Sequence, residues 1–66
     1  MSDIEIELFT TALVFWFEHR QGGECADAAD FQDGCEAVQE KSGVIPTALD
    51  KIAIRSLLRS KHHVDC

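Results

Sequence analysis

Proline is nearly missing from this 66-residue chain, with one residue, and glycine is sparse, with four, so a collagen-like repeat or a proline-rich low-complexity tail is excluded. Long apolar runs are missing too. The most continuous, Ala12 to Phe17, has six residues and lies close to Glu7 on one side and Glu18 on the other, against the ~20 residues a membrane-crossing helix needs. The opening Met-Ser-Asp-Ile-Glu-Ile-Glu has neither the basic start nor the apolar stretch of a secretory signal, so a cytoplasmic address and no membrane association are expected. Positive charge is scarce: six Lys and Arg stand against twelve Asp and Glu, a net charge of −6. A surface built to coat nucleic acid or an anionic membrane would carry the opposite balance. The three cysteines, Cys25, Cys35 and Cys66, are an odd number, which fits free thiols in a reducing compartment better than a disulfide framework.

What is present is a foldable composition, 45% hydrophobic and 27% charged, in a length that makes one domain, residues 1–66. A core this small leaves little net stability, which favours oligomerisation or a bound partner. Ser2 followed by Glu5 has the form of a capping box and opens a helix over residues 3–20, closed by Gly22-Gly23 with Arg20 suited to the negative end of its dipole. A second helix is expected over 27–41, capped by Asp27, with Ala28, Phe31, Cys35 and Val38 on a narrow apolar stripe. Asp33-Gly34 is the weak point inside it, since an interior glycine costs roughly 1 kcal/mol relative to alanine and the pair is also a turn signal. Ser42-Gly43 ends this helix, and Val44-Ile45-Pro46 forms an extended connector, since proline disfavours helical dihedrals in the residue before it. Thr47, with Asp50 three residues on, caps a third helix over 47–61, leaving 62–66 as a tail. The fold class is therefore all-α: a compact three-helix bundle, or a helical hairpin plus a third helix. Leu13, Phe17, Phe31, Val38, Ile52, Ile54 and Leu57 are expected in the core.

The first helix carries Ile4, Ile6, Leu8, Phe9, Ala12, Leu13, Phe15, Trp16 and Phe17 over more than half its circumference, more than two neighbouring helices cover. Dimerisation through this helix is expected, with Phe9 and Trp16, one above the other near the edge of the apolar arc, as aromatic anchors for a partner. Charge is polarised along the chain. Residues 1–40 hold ten carboxylates against Arg20, a balance of −9, and residues 41–66 hold five cations against Asp50 and Asp65, a balance of +3. The acidic second helix, with Asp33, Glu36 and Glu40, would steer association with a basic surface on another protein.

The expected function is thus that of a small acidic, non-enzymatic interaction module that binds a partner protein and modulates or inhibits it by occupying its site. A different reading rests on Lys51, Arg55 and Arg59, spaced four apart on the third helix, which could read DNA as a small transcriptional regulator. The net charge, the acidic second helix and the Gly43 to Pro46 connector argue against it, and the helix dipole alone accounts for cations late in a helix. No metal or other cofactor is expected. Cys25, Cys35, His62, His63 and Cys66, with His19 in reserve, are spaced poorly for zinc, nine residues separating the first two. Neither a catalytic thiol–histidine pair with a third group nor a glycine-rich phosphate loop is recognisable.

Overall fold

The computed structural model describes residues 1–21 and 28–64, which form three helices, α1 (Asp3–Gln21), α2 (Ala28–Ser42) and α3 (Ala48–Lys61). Both expected capping boxes at described helix starts are formed. Ser2 Oγ accepts from the Glu5 N–H at 3.2 Å, while Glu5 Oε1 accepts from the Ser2 N–H at 3.0 Å. Thr47 Oγ1 accepts from the Asp50 N–H at 3.2 Å, and Asp50 Oδ2 accepts from the Thr47 N–H at 2.9 Å. Each box satisfies two backbone donors that a helix start otherwise leaves orphaned. The Asp27 cap and the Gly22-Gly23 stop fall outside the described residues.

Gly43 sits at φ 75°, a conformation that costs glycine little, and its N–H donates to Gln39 O at 2.8 Å to close α2. The chain then runs through Val44 and Ile45 to a buried Pro46 and into α3.

The core is built around α1, which packs against both α2 and α3. Phe9, Leu13 and Phe17, four apart, form its buried row, meeting Phe31, Cys35 and Val38 of α2 and Ile54 and Leu58 of α3. Thr10 is also fully buried, its hydroxyl donating to Ile6 O at 2.7 Å, so its burial leaves no unpaired polar group. Between α2 and α3 the Arg55 guanidinium lies 4.4 Å from the centroid of the Phe31 ring, a cation–π contact joining the basic helix to the acidic one.

Several expectations are corrected here. Ile52 is 66% exposed and Leu57 only half-buried, because the buried row of α3 runs through Asp50, Ile54 and Leu58, leaving Ile52 facing away. Phe9, expected as an accessible anchor, is 4% exposed and belongs to the core. The tail folds back: His63 at φ 57° turns the chain, the Val64 N–H reaches Leu58 O at 2.8 Å, and the Val64 side chain joins the core.

α2 is continuous through Asp33-Gly34. The glycine permits close approach of two helices: a Cβ built on Gly34 would stand 2.9 Å from Leu13 Cδ2 and 3.1 Å from Trp16 Cε3.

Candidate interaction groove

The close crossing at Gly34 places Trp16 at the seam of α1 and α2, and beyond it the two helices leave an open groove of about 1120 Å³. Its walls are mostly apolar, with Leu8, Ala12, Phe15 and Trp16 from α1 and Ala37 and Val38 from α2, and Arg20, Glu40 and Lys41 bring both signs of charge to its rim. Leu8 and Phe15 are 65% and 61% exposed, and Ile4, one turn before Leu8, extends the strip. These side chains lie on α1 opposite the row of Phe9, Leu13 and Phe17, which the two neighbouring helices already occupy.

Trp16 is fixed from several sides. The Arg20 guanidinium lies 5.7 Å from its ring centroid, Phe17 meets it edge-on with ring centroids 5.3 Å apart, and Gly34 lies beneath its six-membered ring. Phe15 is steadied by His19, whose ring stacks at 4.4 Å and whose Nδ1 donates to Phe15 O at 2.9 Å. Aromatic groups held this way lose little side-chain freedom when a partner covers them.

The acidic residues singled out in the sequence come together at one edge of this groove. Asp33, Glu36 and Glu40 line a smaller recess of about 380 Å³ that shares Trp16 and Arg20 with the main groove. All three are exposed, and Gln32 Nε2 donates to Glu36 Oε1 at 3.3 Å. Four of the five expected partner-binding residues, Trp16, Asp33, Glu36 and Glu40, thus share one surface, and Phe9 does not. Leu8 and Phe15 belong to that surface and were not singled out, because on a helix apolar nearly all round no periodicity tells the buried side from the open one.

The basic stripe of α3 is dispersed. Arg55 is half-buried over Phe31 and its Nε has no hydrogen-bond partner, Lys51 is half-buried, and Arg59 is exposed. The positive charges of Lys51 and Arg55 act to lower the pKa of the Cys35 thiol. Burial outweighs them and pushes the thiol up to about 11 from 9.0, leaving it protonated and unreactive at neutral pH. Among the described residues no three His, Cys, Asp or Glu side chains cluster as a metal site would require; Cys25 and Cys66 lie outside those residues. Among them, too, no helix is long and apolar enough to cross a membrane.

Compared with protein-family models, with curated proteins and with solved structures, the chain matches none of them.

Proposed function

We propose that this chain is a non-enzymatic interaction module that binds another protein through the α1–α2 groove and modulates or inhibits it by occupying its site. The observation that carries this reading is the apolar groove beside Trp16 with Asp33, Glu36 and Glu40 along one edge. Such a surface suits a partner segment with an apolar face flanked by Lys or Arg, where the apolar contact supplies affinity and the carboxylates speed encounter. Self-association through α1 belongs to the same reading, since Ile4, Leu8 and Phe15 stay uncovered in a single chain. The protein acts in the cytoplasm, where Cys35 stays a reduced core residue.

Two observations favour the groove over the DNA-reading alternative. Arg55 already spends its guanidinium on Phe31, and Lys51 is half-buried, leaving Arg59 as the exposed cation of the three.

A photo-crosslinking residue placed at Phe15 tests the proposal in cells. Adducts are expected on apolar segments bordered by Lys or Arg, and they should weaken when Asp33, Glu36 and Glu40 are replaced together by Lys. Adducts of equal yield from the triple variant would remove the charge-steered groove from the account.

A further inference from the structure

A second apolar surface stands open on α3, where neither the core nor the groove uses it. Leu49 and Ile52 are 78% and 66% exposed, and Ile45, just before the helix, is as open. Leu49 and Ile52 are three residues apart, and Ser56 and Arg59 follow Ile52 at four and seven, so this face continues into an exposed cation. It lies away from the buried row of Ile54 and Leu58 and forms an apolar ridge ending in positive charge.

The acidic edge of the groove, with Asp33, Glu36 and Glu40, is opposite in sign to the Arg59 end of the ridge. Opposite charges so placed favour a groove meeting a ridge over a ridge meeting a ridge. Groove against ridge is the pairing that sets carboxylates beside cations, and the polarity of the whole chain, −9 over residues 1–40 and +3 over 41–66, favours the same head-to-tail approach.

We propose that the α3 ridge of one copy of this chain, Leu49, Ile52 and Arg59, seats in the α1–α2 groove of a second copy. The contact is heterologous, so a pair of copies keeps one ridge and one groove free and association continues beyond two unless a ring closes. It also covers Trp16 and Phe15, so self-association and partner binding compete; that competition rests on the groove being a docking surface, as proposed above. Dilution, or a partner binding more tightly than the ridge, frees the groove.

The test needs only the protein itself. Sedimentation velocity over about a hundredfold range of concentration should show the wild-type mass rising with concentration and falling as salt is raised. A ridge variant, Leu49→Ser with Ile52→Ser, and a groove variant, Leu8→Ser with Phe15→Ser, should each stay monomeric, the self-dissociation constant rising at least about tenfold. Mixed one to one, they retain one intact groove and one intact ridge and should form a heterodimer that grows no further. All four positions are exposed, and circular dichroism confirms that each variant is folded. Should either variant unfold, Glu36→Arg and Arg59→Glu replace them: each alone should weaken association and the mixture should restore it. A wild type monomeric throughout, a mixture that stays monomeric, or a ridge variant that still self-associates would overturn the proposal. The first two outcomes leave partner binding in the groove standing, because the ridge plays no part in it.

Discussion

Gly34 lies directly against Trp16: a Cβ added to the glycine would come within 3.1 Å of the indole Cε3 and within 2.9 Å of Leu13 Cδ2. The glycine lets α2 approach α1 closely enough for the core to close around Leu13 while the indole remains at the edge of the groove. Gly34→Ala should therefore destabilise the protein despite the better helix propensity of alanine. Propensity offers roughly 1 kcal/mol, whereas the crowded contact in a packed core costs about 1–3 kcal/mol. Thermal unfolding should show a lower Tm, by roughly 4–8 °C for each kcal/mol lost in a domain of this size. Gly34→Val should be worse, adding bulk and β-branching at the same point. An unchanged or raised Tm for the alanine variant would mean that the helices are not held at this distance.

Asp50 ties two features together, completing the capping box with Thr47 at the start of α3 and pairing with the Met1 ammonium at 3.2 Å. The Thr47 backbone donor first, and then the Met1 ammonium, hold its carboxyl below the ordinary 3.8. The carboxylate form is thus favoured by folding. Its contribution is complete above about pH 4 and declines as pH falls through the lowered folded value. Asp50→Asn should remove this part of the acid sensitivity and lower stability near pH 7, because the neutral amide loses the charge that pairs with the Met1 ammonium and strengthens the bond from the Thr47 N–H. Denaturant titrations across pH would show it as a difference between the proteins that is large at neutrality and shrinks in acid. A constant difference at every pH would contradict the assignment.

How much of this was legible beforehand differs from element to element. The starts of α1 and α3 stand out because Ser2 with Glu5 and Thr47 with Asp50 announce capping boxes in four residues of local sequence. The helix over 27–41 is legible, but the reason for Gly34 inside it is not, because the cost of a helical glycine is local and visible whereas its benefit, room for Trp16 and Leu13, depends on a helix distant in the chain. The site was half legible for a related reason. Charge pattern picked out Asp33, Glu36 and Glu40, and no pattern could say that Phe9 faces inward and Phe15 outward on a helix apolar over most of its circumference. Which side is buried was decided by where α2 and α3 could pack.

Arg55 over Phe31 joins the oppositely charged helices, and Arg55→Met should separate the cation from its packing. Methionine keeps much of the stem that covers the ring, so stability should fall by about 0.5–2 kcal/mol, the range expected for a cation–π contact that is partly desolvated. Arg55→Ala should cost more, because the stem is lost as well. Equal stability of the methionine variant and the wild type, measured by urea unfolding, would show that the guanidinium contributes nothing over the ring.

Cys35 is buried and its thiol is pushed up to about 11, so it should react with an aromatic disulfide reagent only when the core opens. With Cys25 and Cys66 replaced by Ser, the remaining thiol should label far more slowly than in the urea-unfolded chain, and faster in Gly34→Ala. Rapid labelling of the native protein would place Cys35 outside the core.

The central claim is that a groove beside Trp16 takes an apolar segment flanked by positive charge, and Trp16, the single tryptophan of the chain, reports on it directly. The measurement is a fluorescence titration of dilute protein with two synthetic helical peptides, one with a leucine face flanked by lysine and one with the same face flanked by glutamate. The lysine peptide should change Trp16 emission saturably, with an affinity that falls as salt is raised and that drops at least about tenfold in the Glu36→Lys, Glu40→Lys variant. The glutamate peptide should bind more weakly. An equal response to both peptides, or no response to the lysine peptide, would contradict the account.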